Sequence, residues 1–361
     1  MEILIIANLY PDERQPTFGT FVAEHASALR RAGAQVEVVA ITGVAVSRAF
    51  ARKYLWLAAR AIGHALRARI RRRPPQVVEA HVAYPTALLA WLVARVLGAH
   101  LVIYCHGSDV TGVAARSRFH HALATWVFAR AELVVANSSF LSDLLLSRYG
   151  VPASRLVVLP PGVDLRRFAA TSEHRRLNEV LFVGWLSRAK GVFELVEAVS
   201  RLRESRIALR IAGGGPERAA LEGAARRLGI DAEFLGPVAS TDVARLMDEA
   251  AVVAVPSIGP EGLGLVALEA MAAGALVVAA ASGGLSESVI DGETGWLVPP
   301  GDVEALTAAL RDALATAGGA APSRLAALQR RALEKAGQHD IDAIAVRTLT
   351  IYGSLDAGNH A

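Results

Sequence analysis

The 361-residue sequence predicts an α/β protein made of two successive Rossmann-like domains, and three observations carry that prediction. Two series of short β-branched runs alternate with helix-length segments, the pattern of parallel sheets with helices on both faces. The chain exceeds the ~250–300 residues at which one hydrophobic core stops growing. Near its middle, Pro160-Pro161-Gly162 breaks any continuing element, and the charge balance reverses: residues 1–165 carry 18 Lys+Arg against 10 Asp+Glu, the remainder 20 against 24.

The first series reads Glu2–Ala7, Gln35–Ala40, Gln76–Glu79, His100–Tyr104, Leu133–Ala136 and Arg155–Leu159. The second reads Val180–Val183, Ala208–Ala212, Ala232–Leu235, Val252–Val255, Leu276–Ala279 and Trp296–Val298. Ligands of open α/β sheets bind beyond the carboxyl ends of the strands, so loops from both domains are expected around one crevice.

Charged residues make up 20% of the chain and apolar ones 53%, which excludes extensive disorder. Met1–Asn8 turns apolar at once and reads as a buried strand instead of a signal peptide, and no apolar run reaches the ~18 residues of a membrane span. The single cysteine, Cys105, lies in an apolar run and reads as inert core. A cytoplasmic protein is expected, with possible attachment to the inner face of the cell membrane.

That attachment is suggested by nine basic residues from Arg48 to Arg73, with no acid between Glu37 and Glu79. A helix here places Lys53, Arg60, Arg67 and Arg71 on one face and Leu55, Ala59, Ile62, Leu66 and Ile70 opposite. The expectation is an apolar face packed into the core and a basic face left to meet anionic lipid, with Tyr54 and Trp56 alongside. Nucleic acid is not an expected partner, because no aromatic platform or known module accompanies the charge.

The most informative motif is the segment from Glu261 to Glu269, two glutamates with seven residues between them, following an apolar strand that ends at Pro256. A helix starting near Leu263 turns the N–H groups of Gly264, Leu265 and Val266 outward, a terminus that attracts phosphate. Glu269, about two turns in, can accept hydrogen bonds from ribose hydroxyls.

This segment resembles the E-x7-E motif of glycosyltransferase family 4, and further segments follow in that family's order. They are Pro161-Gly162-Val163-Asp164 with Phe168, Phe182-Val183-Gly184 through Lys190-Gly191, Ala212 to Pro216, Leu268 to Gly274, Gly283-Gly284 with Glu287, and Thr294-Gly295. The resemblance implies a GT-B architecture and a retaining, metal-independent hexosyltransferase using a nucleotide-diphosphate sugar and a saccharide or lipid-linked acceptor. The chain particularly resembles members that build cell-surface polysaccharides of the teichuronic-acid type. The resemblance also implies that Ala343–Leu355 forms a last helix returning to the first domain. The expected domains are therefore 1–165 with 342–361, binding the acceptor, and 166–341, binding the nucleotide sugar.

Residue by residue, the resemblance gives Lys190 and the backbone of Gly264, Leu265 and Val266 to the donor diphosphate, Glu269 to the ribose and Glu261 to donor-sugar hydroxyls, with Gly184, Gly215 and Gly262 on the donor side. Gly19, in the segment Tyr10-Pro11 through Pro16-Thr17-Phe18-Gly19 to Val22, corresponds to the glycine loop approaching donor and acceptor. His106 in His106-Gly107-Ser108-Asp109 lies beside the reacting sugar, with Asp109 on the acceptor side, and His81 and His25 are read as structural. Trp185 stands where the family usually has arginine, and Arg188 is the candidate to supply that charge.

No metal is expected: the one D-x-D, Asp340-Ile341-Asp342, reads as a helix cap, and no His and Cys residues show ligand spacing. The glycines after Ala212 also prompt a dinucleotide-binding reading, but Arg218 occupies the third glycine's place. Trp185 prompts another, a non-catalytic sugar-nucleotide-binding protein.

Overall fold

The computed structural model describes residues 1–12, 18–42, 50–70, 73–112, 117–171, 175–202 and 207–357. Pro16, Thr17, Arg48 and Arg71 of the readings above lie outside the described residues. In chain order the first unit forms β1 (Glu2–Tyr10), α1 (Thr20–Arg31), β2 (Gln35–Thr42), α2 (Phe50–Ile70), β3 (Val77–His81) and α3 (Thr86–Leu97). There follow β4 (His100–Cys105), α4 (Ser108–Thr111), α5 (Arg118–Phe128), β5 (Leu133–Ala136), α6 (Ser139–Tyr149) and β6 (Leu156–Val158). The sheet is parallel throughout, in the order β2-β1-β3-β4-β5-β6.

The second unit forms β7 (Arg176–Val183), α7 (Val192–Ser200), β8 (Ala208–Ala212), α8 (Arg218–Leu228), β9 (Ala232–Gly236), α9 (Ser240–Glu249) and β10 (Ala250–Val255). It continues with α10 (Leu265–Ala272), β11 (Leu276–Ala280), α11 (Leu285–Ser288), β12 (Trp296–Val298), α12 (Val303–Ala315) and α13 (Pro322–Gly337), before the last helix, α14 (Ile341–Ala357). Its order, β12-β11-β10-β7-β8-β9, is again all parallel. Ahead of α7, Arg188–Lys190 forms a 3-10 turn. Gly191, in the left-handed region at φ 66°, separates the two.

The chain divides into Met1–Gly162 with Ile341–Ala361, and Val163–Asp340. Val163 goes with the second unit because its N–H donates to His339 O at 2.8 Å and its backbone bridges Asp340, so this division falls three residues before residue 165.

Each sheet is buried on both faces. In the first unit α2, α3, α5 and α6 cover one face, while α1 and α14 cover the other, where Ile344, Ala345 and Tyr352 join Ile3, Ile5, Val22 and Leu29. Strand side chains alternate between these layers. Val78 and Ala80 of β3 enter the first layer; Val77 faces the second, and Glu79 reaches Tyr352 there.

The structure corrects the reading of α2. Its buried residues are Leu57, Ala61, Ala65 and Ala68, whereas the face expected to pack inward is exposed: Leu55 by 71%, Ile62 by 40%, Leu66 by 52% and Ile70 by 80%. Ala59 is exposed as well. Small side chains at intervals of three and four residues let α2 lie close on the sheet, and the larger aliphatic residues are left outside.

Candidate active site

The strand orders determine where each unit can hold a ligand. In the second unit the order reverses between β7 and β10, and loops leave the carboxyl ends of these neighbours in opposite directions. The loop after β7 carries Gly184, Trp185, Arg188 and Lys190; the loop after β10 carries Ser257 and Glu261. Ala189 O joins the loops by accepting the N–H groups of Ile258 and Gly259, both at 2.9 Å. The same turn places Lys190 Nζ 2.6 Å from Glu261 Oε1, which also accepts from Ser257 Oγ. Both members of the pair are half-buried.

Glu261 is fixed from its other side too, because its carbonyl accepts Gly284 N–H at 2.9 Å and its backbone bridges Gly283. Gly262 is buried behind it. The helix α10 starts at Leu265 instead of near Leu263, with Gly264 as N-cap at φ 88°. A Cβ on Gly264 would strike the buried Leu285 side chain, so glycine is required by conformation and by space. Ala267 N–H already bonds Gly264 O at 2.9 Å, leaving Leu265 and Val266 as the amides at the very start of the helix. Glu269 is the fifth residue of α10, just over one turn in, and half-buried.

The glycines after β8 and β7 interlock through the backbone: Gly184 N–H donates to Ala212 O and Leu186 N–H to Gly214 O, at 2.9 and 2.8 Å, with Gly215 beside Leu186. Arg188 lies with its guanidinium 3.7 Å from the Phe193 ring centre and 3.6 Å from Glu217, which opens α8. Trp185 is 54% exposed.

In the first unit the order reverses between β1 and β3. Gly19 caps α1 with φ 73°, and a Cβ there would lie 2.7 Å from the Leu9 backbone at the end of β1. Beyond β3 and β4 lies a cluster that the sequence reading did not assemble. Glu79 is fully buried; its Oε2 accepts from His25 Nε2 at 3.1 Å and His81 Nε2 at 3.2 Å, and its Oε1 from Tyr352 OH at 2.8 Å. His81 Nδ1 lies 3.1 Å from His106 Nε2, and Asn137 Nδ2 lies 3.1 Å from His106 Nδ1. The rings stack: His81 is 4.8 Å from Tyr104 at 3° and 5.2 Å from His106 at 15°. Phe21 closes over His106 at 4.6 Å.

Asp109 has a backbone task. Its carboxylate accepts the N–H groups of Ala83, His106 and Gly107, at 3.0, 3.0 and 2.9 Å, which ties the turn after β4 to the turn after β3. Val82, between them, holds φ 83°, a costly conformation for a β-branched residue.

Electrostatics follow from burial and from these partners. Burial alone would raise the Glu79 carboxyl, but His25 and His81 more than offset it and hold it at about 2. Burial lowers His81, and it lowers His106 well below the ordinary imidazole value with the neighbouring His81 and His25 adding to it. Asp109 is raised by burial, against its backbone donors.

His25, Glu79 and His81 place one ligand-type atom each within 4.8 Å of one another, so a metal-compatible cluster exists among the described residues where the sequence showed none. Hydrogen bonds to each other and to Tyr352 already satisfy these atoms. In the D-x-D, Asp342 binds Arg31 at 2.6 Å. Within the cluster, Glu79, Tyr104, Asn137 and Tyr352 were missed. The available signal was a Glu and a His two residues apart in a central parallel strand, which share one buried face.

Comparison with known proteins agrees with this architecture. Residues 18–167 match the model of Glycosyltransferase Family 4, and residues 166–334 match Glycosyl transferases group 1. Glycogen synthase of Mycobacterium tuberculosis is 33% identical over 296 residues, covering 79% of this chain and 70% of the relative. The GDP-mannose-dependent alpha-(1-6)-phosphatidylinositol monomannoside mannosyltransferase of Mycolicibacterium smegmatis is 35% identical over 266 residues, 68% of each chain. Among solved structures, Anabaena HepE in complex with UDP and glucose superposes with a TM-score of 0.78 at 22% identity, over 98% of this chain and 100% of that one. With two family models meeting at the break near residue 166 and a relative aligned over most of its length, the chain belongs to the family 4 glycosyltransferases, with the GT-B fold, and is a hexosyltransferase.

Proposed function

We propose that the enzyme moves a hexosyl group from a nucleotide-diphosphate sugar to a saccharide or lipid-linked acceptor, with retention and without a metal. The observation that carries this reading is the Lys190–Glu261 pair at the β7/β10 switch point, on the same loop as the start of α10. A diphosphate needs a cation and convergent N–H donors, and this unit supplies Lys190, Leu265 and Val266. Glu261 would then exchange its bond to Lys190 for donor-sugar hydroxyls, and Glu269 would take the ribose. HepE, solved with UDP-glucose, and a relative named for GDP-mannose support a nucleotide-sugar donor without choosing its base.

In the chemical step the acceptor oxygen attacks the anomeric carbon on the face from which the nucleotide diphosphate leaves, and the donor phosphate takes the acceptor proton. The protein's part is to position the reactants and stabilise the leaving diphosphate through Lys190 and the α10 amides. Gly19, His106 and Asp109 belong to the acceptor side of this reading, His106 by its side chain and Asp109 through the backbone it holds. The product belongs to cell-surface polysaccharide or glycan assembly.

The reading includes contact with an anionic membrane, now on different grounds. Between Glu37 and Glu132 the only carboxylates are Glu79 and Asp109, both buried. The exposed apolar residues of α2 lie beside Arg60 and Arg67, and the neighbouring helices α3 and α5 expose Leu92, Phe119 and Trp126. A cationic, apolar surface suits anionic lipid, and its acidic neighbour beside α2, the exposed Glu37 of β2, is paired with His64 at 3.0 Å. Among the described residues no helix is long and apolar enough to cross a membrane. Flotation with phosphatidylglycerol vesicles, lost in Leu66→Glu and absent with phosphatidylcholine, is the expected result; equal binding to both lipids would refute the electrostatic part.

The first test of function is nucleotide diphosphate release in EDTA from UDP-, GDP-, ADP- and dTDP-sugars with simple glycosides and lipid-linked saccharides as acceptors. Turnover of one donor with an α-linked product from an α-linked donor is expected. Donor binding without turnover under any acceptor would favour a degenerate transferase, the alternative that Trp185 prompts.

A further inference from the structure

Four of the five tryptophans are engaged by a neighbour, and the fifth is not. Trp56 lies under the Arg60 guanidinium at 4.8 Å, Trp91 meets Trp126 edge to face at 4.8 Å, and Trp296 donates Nε1–H to Asp312 at 2.8 Å. Trp185 is 54% exposed, and among the described residues no ring, cation or hydrogen-bond acceptor engages its side chain. Its backbone is nonetheless held on both sides. Gly184 and Leu186 donate to Ala212 O and Gly214 O, and Trp185 O accepts Ser187 N–H at 3.0 Å. Leu186 is fully buried, and a Cβ on Gly215 would lie 2.3 Å from its carbonyl oxygen, so the two loops touch backbone to backbone. A large apolar plane fixed at its root and left in water is a preformed surface: covering it gains burial without ordering any backbone.

The place of the ring decides what covers it. Trp185 is the second residue beyond the carboxyl end of β7, and Lys190 follows five residues later on the same loop. Arg188, between them, has its guanidinium against Phe193 and Glu217 and leaves the indole face open. That face carries negative π density, so it gains nothing from a phosphate oxygen and suits the C–H groups of a sugar ring. In a hexosyltransferase the transferred hexose and its acceptor meet at the diphosphate end of the donor site, whereas the nucleobase is a ribose further away. We propose that Trp185 is a binding residue whose indole stacks on the C–H face of a pyranose at that end. This rests on the reading of Lys190 as the diphosphate's cation. The pyranose comes from the donor's hexose or from a saccharide acceptor; the chemistry is shared, and the arms of the test separate the sources.

The test measures acrylamide quenching of the full-length protein, with the Trp185 contribution taken as the difference between wild type and Trp185→Phe. Each nucleoside diphosphate is compared with its sugar, UDP with UDP-glucose, GDP with GDP-mannose, ADP with ADP-glucose and dTDP with dTDP-glucose. The glycosides and lipid-linked saccharides of the panel above are then added. Calorimetry on wild type, Trp185→Ala and Trp185→Tyr supplies the affinities. Protection of Trp185 by the nucleotide sugar but not by the bare diphosphate, with affinity for the sugar form about tenfold lower in Trp185→Ala and restored in Trp185→Tyr, assigns the donor's hexose. Protection only once an acceptor is added, with acceptor affinity following the same pattern, assigns the acceptor. Urea unfolding should not change, because the ring engages nothing that the variant loses. Protection by the bare diphosphate, an equal loss of diphosphate affinity in Trp185→Ala, or no protection although a nucleotide sugar binds would each overturn the proposal and leave the role of Lys190 standing. If the wild type binds no nucleotide and no nucleotide sugar, the donor reading falls first, and this proposal with it.

Discussion

Both units place candidate residues beyond the carboxyl ends of a six-stranded parallel sheet, but they use different materials. The second unit uses backbone: interlocked glycine loops, the start of α10, and one half-buried ion pair. The first uses side chains, a run from Glu79 through His81 and His106 to Asn137 that reaches the buried Tyr352. A site meant for a diphosphate needs fixed N–H dipoles and one mobile cation, which loops at a switch point provide. A cluster built on side chains needs defined protonation states, and those require burial.

The largest expected effect tests the backbone site through Lys190. Lys190→Ala should lower kcat/KM by about 10²–10³ with little change in folding stability, since the pair it breaks is half-exposed. Steady-state rates and urea unfolding measured on one preparation separate the two effects. A stability loss matching the rate loss would make the pair structural and erase the contrast.

Gly264→Ala comes next. Its left-handed φ and the clash with Leu285 together cost about 2–4 kcal/mol, and the displaced start of α10 should weaken donor binding as well. Donor titration by calorimetry, at a temperature where the variant is folded, should show the weakening. Affinity equal to the wild type would remove α10 from the donor site.

Acid should separate the units. His81 and His106 have folded values below the unfolded 6.5, so they bind fewer protons folded than unfolded; the stability they contribute is complete above pH 6.5 and is lost as pH falls below it. Glu79, lowered from 4.5 to about 2, adds a second loss between those two values. Among its described residues the second unit carries His339, lowered to about 4, and Asp312, lowered chiefly by its bond to Arg324, which acts only below the ordinary carboxylate value. Hydrogen exchange between pH 7 and 5, corrected for intrinsic rates, should therefore open the first unit's strands before those of the second.

The same contrast explains what could be read from the sequence. All twelve strands were legible because parallel strands buried on both faces are short, uninterrupted β-branched runs such as Val252–Val255. The local form of the Glu261–Glu269 segment, a glycine turn into a helix, was legible because its residues are close in sequence and its glycines answer local demands. The His–Glu cluster was not, since Glu79 is 54 residues from His25 and 273 from Tyr352, and no local pattern announces such pairs. His25 and His81 were read as merely structural for that reason. The face of α2 was misread because periodicity marks two apolar stripes there, and only the packing shows that Leu57, Ala61 and Ala65 lie inside while Leu66 and Ile70 remain outside.

The smallest expected effect concerns how α14 is held on the first unit. The helix has a buried tie, Tyr352 OH to Glu79 at 2.8 Å, and an exposed one, Arg31 to Asp342 at 2.6 Å with both side chains about two-fifths exposed. Tyr352→Phe removes a donor from a buried carboxylate, which should cost about 1–3 kcal/mol. Arg31→Ala breaks a contact in which Nε and Nη2 both donate to Asp342 Oδ1 and which water can replace, so about 0.2–1 kcal/mol is expected, shrinking further in high salt. Urea unfolding of the two variants at low and high salt ranks the ties. If Arg31→Ala costs as much as Tyr352→Phe and salt does not reduce it, the helix is anchored from its surface, and the buried cluster loses its claim to hold the last helix.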